Sequence, residues 1–243
     1  MALAQALCVC AALAASPGAA AKISSARYSD PTTRYAHGVL GDDVEFATLA
    51  VTLDDGSRQS ATWPPGMIFE DTAPRLVDLT GDGTPEVITV ESSDILGARL
   101  AVWGLDPNAR LVPLVASPPI GHRFRWLSPL GAADLDGDGT MEIAWIDRPH
   151  LAKTLQVWRF AAHGDQRFSL TPVASLTGLT NHRIGENDIA GGIRDCGQGP
   201  ELITADADWR NVMATRLNNA TLSTRSIAPH TDRSSFIKTM SCQ

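Results

Sequence analysis

Basic charge is in short supply. The 243 residues hold 20 Lys plus Arg against 27 Asp plus Glu, a formal net charge of −7. No run rich in lysine and arginine occurs. A protein that grips nucleic acid through its phosphates needs a basic face, so nucleic acid is set aside as a partner. Catalytic signatures are missing as well. The sequence has no Gly-x-Ser-x-Gly elbow, no His-Glu-x-x-His and no glycine-rich phosphate or dinucleotide loop. No catalytic residue is assigned on that basis. A sustained helical period is absent, and no apolar run reaches the roughly 20 residues of a spanning helix. No stable membrane span is expected in the mature chain. Cysteine is scarce, with four in all.

Residues 1–21 read as an export signal. An apolar, alanine-rich run from Met1 to Ala15 gives way to Ser16-Pro17-Gly18-Ala19-Ala20-Ala21. Small residues at that point suit cleavage before Lys22. The mature protein is then expected in the periplasm or outside the cell, as a bacterial exported protein. Cys8 and Cys10 leave with the signal. Cys196 and Cys242 remain, and an even pair in an exported chain suggests a disulfide. The alternative is two free thiols.

The mature chain reads as short strands cut by turns, which argues all-β. Arg34 to Leu40 is expected as a strand. Val44 to Leu53 is rich in β-branched and apolar residues. Asp54-Asp55-Gly56 is a hairpin turn, since Asp-Gly tolerates positive φ. Ser57 to Trp63 returns, and Pro64-Pro65-Gly66 stops it.

Chemistry concentrates at Asp134-Leu-Asp-Gly-Asp-Gly-Thr-Met-Glu142. Carboxylates stand at alternate positions, Asp134, Asp136 and Asp138, with Gly139 permitting a bend and Glu142 closing the run. A loop of this kind wraps a hard cation. Calcium takes about six to eight oxygen ligands, whereas magnesium holds to octahedral geometry and keeps its waters. The backbone carbonyl of Thr140 is the natural extra ligand. The bland reading is an acidic turn without metal.

The loop recurs. Asp78, Thr80, Asp82, Thr84 and Glu86 fall on Asp134, Asp136, Asp138, Thr140 and Glu142. Thr80 replaces a carboxylate, so this copy should hold calcium more weakly. A degraded copy runs from Ile193 to Glu201, with Ile193 and Gly197 in place of two carboxylates. It is expected to hold no metal, and a Cys196–Cys242 bridge would fix it instead. A strand-like run follows each copy: Val87 to Val90, Ile143 to Ile146 and Leu202 to Ala205. Recurrence at about 50–60 residues marks a repeat architecture.

Asp-Leu-Asp-Gly-Asp-Gly-x-x-Glu before a β-branched strand resembles the FG-GAP/VCBS repeat family, whose integrin-like members are calcium-binding β-propellers. The resemblance implies one propeller domain over residues 22–243, of about four units: 22–73, 74–128, 129–188 and 189–243. It implies structural calcium at one strong and one weaker site. Trp103 and Trp158 fall at matched places and are expected to pack between blades. The fold alone does not name an activity.

In that family the metal loop joins the innermost strand of a blade to the second. The segments entering the first strand and leaving the second would then lie on the other face. These carry His122, Arg123, His182, Arg183 and Glu186 on entry, with Glu70-Asp71 entering the second unit. Asp147, Arg148 and His150 follow on exit. One reading is a pocket where arginines hold an anion and histidines carry protons. The other is a structural polar network around the axis. The sequence therefore reads as an exported, calcium-stabilised binding or scaffold module for a protein or a small anionic or carbohydrate ligand. The alternative is a periplasmic hydrolase or lyase, because His with Asp or Glu suffices for acid–base work.

Overall fold

A computed structural model describes residues 21–242. The expected signal, apart from Ala21, lies outside the described residues, as do Cys8 and Cys10. The chain is all-β with one short helix among the described residues. No described helix is long and apolar enough to cross a membrane.

The strands form three antiparallel sheets. The first has eight strands: β1 (Ile23–Thr32), β2 (Glu45–Leu53), β3 (Arg58–Thr62), β4 (Met67–Phe69), β5 (Arg75–Val77), β6 (Glu86–Ser93), β7 (Gly97–Leu105) and β8 (Leu111–Ala116). The second holds β9 (Leu127–Ala133), β10 (Glu142–Asp147), β11 (Thr154–Ala162) and β12 (Phe168–Thr177). The third holds β13 (Leu179–Thr180), β14 (Gly192–Asp195), β15 (Pro200–Asp206), β16 (Asn211–Asn218) and β17 (Thr221–Pro229). Helix α1 (Arg233–Met240) follows, with Asp232 accepting the Ser234 N–H as its N-cap.

Three units share one plan: β5 to β8, β9 to β12, and β14 to β17. The second strand of each, β6, β10 or β15, is buried over nearly its whole length. That is what a short continuous apolar run bounded by turns produces. The ladder between third and fourth strands slips at Val102/Trp103, at Val157/Trp158 and at Val212/Met213. In two units the residue opposite is Pro113 or Pro172, which cannot donate to the ladder and so favours a bulge.

Residues 22–73 do not form a fourth separate sheet. Phe46 pairs with Phe69, and β4 then pairs with the far end of β6, which merges the first unit into the sheet of the second. The hairpin at Asp54-Asp55-Gly56 is present: Gly56 has φ +83°, and Leu53 N–H donates to Ser57 O at 2.8 Å. Arg34 to Leu40, expected as a strand, is instead a loop. Gly38 at φ +67° breaks the extended path, and Tyr35 and Val39 are buried from irregular backbone. This loop reaches the segment that enters the last unit, where Gly185 N–H donates to Val39 O at 3.1 Å.

The core lies mainly between neighbouring units. One cluster joins β1 and β2 to β6 and β7 through Tyr28, Leu49, Phe69 and Trp103. The next joins β6 and β7 to β10 and β11 through Ile88, Leu100, Ile143 and Phe160. A third joins β10 and β11 to β15 and β16 through Ile146, Leu155, Leu202 and Leu217. Trp103 sits edge-on to Trp63, with centroids 5.9 Å apart, and Trp158 lies against Trp145 at 5.5 Å.

Candidate functional site

Each acidic loop lies at the start of a buried second strand. In the third unit Asp134 accepts the N–H groups of Gly137, Asp138 and Gly139 at 2.8–3.0 Å. Asp138 accepts that of Thr140, and Glu142 accepts that of Leu135. The second unit repeats the set: Gly81 and Gly83 donate to Asp78, Thr84 to Asp82, and Leu79 to Glu86. Gly137 and Gly139 have φ +78° and +86°, and Gly81 and Gly83 have +75° and +78°. Side chains with a Cβ rarely adopt that conformation. Thr80 is exposed in the place of Asp136.

One carboxylate oxygen each from Asp134, Asp136 and Asp138 lies within 4.8 Å of the others. Asp136 Oδ1 is buried with no hydrogen-bond partner in the protein. An all-oxygen set with an orphaned buried oxygen fits a hard cation such as calcium.

A side chain from a different strand enters the third-unit loop. Arg159 on β11 reaches Asp136 at 2.8 Å, Asp138 at 3.0 Å and Glu142 at 2.7 Å. Its place is set by register, because Arg159 pairs directly with Glu142 across β10 and β11. In the second unit the ladder runs to Val87 opposite Trp103, so Gly104 comes next, beside Glu86. No arginine can reach that loop from there. Burial, with the charges of Asp82 and Asp78 adding, pushes Glu86 up to about 7, against the pull of the Leu79 N–H. Burial also raises Glu142, and Arg159 offsets it.

The fourth unit resolves the same position differently. Glu201 pairs with Arg194 at 2.9 Å, Arg216 at 2.8 Å and Arg225 at 2.7 Å. Burial opposes its charge, but the three guanidinium groups outweigh that and hold the carboxyl at about 2. Asp195 accepts the Gly197 N–H at 2.8 Å. Cys196 and Cys242 are joined, with Cα atoms 5.8 Å apart. The bridge ties this loop to the end of the chain.

The far ends of the same strands carry the histidines. Across six-residue β10 this puts them roughly 20 Å from the loop. His150 Nε2 lies 3.0 Å from His182 Nδ1, and His182 Nε2 lies 2.8 Å from Glu186 O. Trp126 stacks on His150 and meets His182 edge-on. Burial, with the neighbouring His182 adding, lowers His150 to about 4. Burial likewise lowers His182. Arg148 makes a two-pronged pair with Asp147, Nε and Nη2 to the two carboxylate oxygens at 2.9 and 2.8 Å.

Other candidates stand apart. His122 is exposed, and its carbonyl packs so closely on Gly97 that a Cβ there would lie 2.0 Å away. Exposed Arg123 lies over Phe124, and exposed Arg183 over Trp209, each at 4.3 Å from the ring centroid. Glu186 pairs with Arg233. His122 and His182, at matched places in the sequence, thus differ in surroundings: one is exposed and the other is 1% exposed.

One residue that the sequence did not single out, His37, is central, together with Glu70. His37 Nδ1 lies 2.5 Å from Glu70 Oε1, and Ser92 Oγ bonds the other oxygen of Glu70. Glu70 is wholly buried, and its backbone carbonyl accepts the Trp126 indole N–H at 2.7 Å. Burial raises the Glu70 carboxyl, and the bond to His37 works against that. Glu70 was visible as an acidic residue entering the second unit. His37 was hidden inside an expected strand.

Residues 78–145, from the first acidic loop to Trp145 on β10, match the FG-GAP-like repeat. The chain carries that repeat. No curated protein matches the chain.

Proposed function

We propose that this chain, built on an FG-GAP-like repeat, is an exported, calcium-stabilised β-propeller of about four units that acts as a binding or scaffold module. The observation that carries calcium is the Asp134, Asp136 and Asp138 cluster with its orphaned buried oxygen. Asp134, Asp136, Asp138, the Thr140 carbonyl and Glu142 would hold one ion. Asp78, Asp82, the Thr84 carbonyl and Glu86 would hold another, with Thr80 lining it. The ion's work is structural: it neutralises clustered carboxylates and stiffens an inter-strand loop.

Support for a ring comes from the Val39–Gly185 backbone bond, which brings the first unit to the segment entering the last. Support for export comes from the Cys196–Cys242 disulfide, a bond that persists in oxidising compartments. Partners are a protein or a small anionic or carbohydrate ligand, with the histidine end of the strands as the ligand face. A second reading, a hydrolase or lyase, draws on the His37–Glu70 pair, since an imidazole oriented by a carboxylate is an acid–base group.

The test is a calorimetric titration of calcium into the chelator-treated protein. Saturable binding that Asp136→Ala weakens supports the reading. Absence of binding in the wild type contradicts it.

A further inference from the structure

A cavity of about 210 Å³ opens at the histidine end of the strands, lined among others by His37, Phe124, Arg125, Trp126, Arg148 and His150. Its walls come from four parts of the chain: the loop after β1, the segment entering β9, the connection from β10 to β11 and the segment between β13 and β14. Two aromatic pairs form much of the lining. His37 stacks on Phe124 with centroids 5.1 Å apart, and His150 stacks on Trp126 at 6.4 Å. At the mouth stand two apolar side chains that water covers, Leu151 at 64% and Ile184 at 71% exposure.

The polar groups at this cavity are poised for negative charge. Arg125 spends Nη1 on the Phe124 carbonyl at 2.8 Å and pairs with no carboxylate among the described residues. Arg148 uses Nε and Nη2 on Asp147, which leaves Nη1 without a partner in the protein. Glu70 does not line the cavity and holds its two oxygens on His37 and Ser92, and Asp147 offsets Arg148 alone, which leaves Arg125 as the uncompensated cation. His37 has its Nδ1 engaged, so Nε2 is the ring nitrogen left to a ligand. A cation would meet two guanidinium groups here. A sugar would find few acceptors for its hydroxyls.

We propose that this cavity is a binding site for a small planar aromatic anion, of which benzoate is the simplest. The carboxylate is taken by Arg125, with Arg148 as a further donor. The ring lies among Phe124, Trp126 and the two imidazoles, where aromatic faces and edges are favourable neighbours. Charge-assisted bonds from arginine supply the preference for an anion. The inference deepens the reading of the chain as a binding module and rests on it, but it does not depend on calcium.

The experiment titrates benzoate into the full protein by calorimetry, with benzamide as the neutral counterpart and acetate as the ringless one, first in calcium and then in chelator. Saturable 1:1 binding of benzoate is expected, with benzamide and acetate at least about tenfold weaker. Arg125→Gln should weaken benzoate about tenfold or more. Ile184 is exposed, so its substitutions leave the fold alone. Ile184→Glu should weaken benzoate several-fold by repulsion, and Ile184→Lys should not. No saturable benzoate binding overturns the proposal. So does equal binding of benzamide or acetate, or benzoate affinity that neither Arg125→Gln nor Ile184→Glu changes. Benzoate binding that persists while calcium binding fails would sink the calcium reading and leave this site standing.

Discussion

The third-unit and fourth-unit loops occupy the same place in the fold and keep the same closing glutamate. They differ in what answers its charge. Around Glu142 stand three aspartates and one arginine, an excess of negative charge that leaves room for a cation. Around Glu201 stand three arginines, a single aspartate in the loop and a disulfide. The second-unit loop has Gly104 where an arginine would reach, and its neighbouring cation is Lys22, whose Nζ lies 3.4 Å from where a Cβ on Gly83 would be. Three carboxylates without an arginine in the second unit and four with one arginine in the third leave the same excess of negative charge, whereas in the fourth the arginines outnumber the carboxylates. Carboxylate count alone ranks the third-unit loop as the strongest metal site. The cross-strand arginine works against that ranking, because a metal would have to contend with its guanidinium for Asp136, Asp138 and Glu142.

The largest effect should come from the fourth unit, where the covalent tie carries the loop. Reduction of Cys196–Cys242, which spans 46 residues, should cost about 4 kcal/mol by chain entropy. Urea unfolding with and without reductant measures it. A difference below about 1 kcal/mol would mean the tie is incidental.

Next is Glu201→Gln. Its folded value of about 2 lies below the roughly 4.3 of an unfolded chain. A depressed carboxyl stabilises the fold above its unfolded value and loses that contribution as pH falls toward its folded one. The gap between wild type and Glu201→Gln should be about 2–3 kcal/mol at pH 7, allowing for the exposure of Arg225. It should shrink between about pH 4.3 and pH 2. A gap indifferent to pH would place the arginines' role elsewhere.

Arg159→Met sharpens the comparison at the third unit. Without calcium it leaves Asp136, Asp138 and Glu142 without their internal cation and should cost about 1–2 kcal/mol. Calcium should close most of that gap in thermal melts. A gap unchanged by calcium would show that metal and arginine do not share the site. The smallest effect is Thr80→Asp. It restores the missing carboxylate of the second unit and should tighten calcium there several-fold, worth about 1 kcal/mol at the site. Calorimetry would then show two sites closer in affinity.

What the sequence disclosed follows from distance along the chain. The acidic loops are local, and Asp134 meets its donors within five residues, so spacing alone revealed them. The strands after each loop are apolar runs, legible for the same reason. The disulfide was legible from the expected export and the even count of cysteines after residue 21. Arg159 and Gly104 were not, because their place is set by cross-strand register and by hairpins of different length in each unit. The His37–Glu70 pair was hidden because Arg34 to Leu40 has strand-like composition, while Gly38 turns the backbone and carries His37 across to another unit's start. The merging of the first unit with the sheet of the second rests on one ladder pair, Phe46 with Phe69, which no local pattern marks.

The most direct test of the account is a thermal melt of the protein in calcium, in magnesium and in chelator, repeated for Asp136→Ala. Calcium at a hundredfold excess over its dissociation constant should stabilise the wild type by about 2.7 kcal/mol. Magnesium should do much less, and the mutant should lose most of the calcium effect. A wild type that melts alike in all three conditions would contradict the account and reduce the acidic loops to solvated turns.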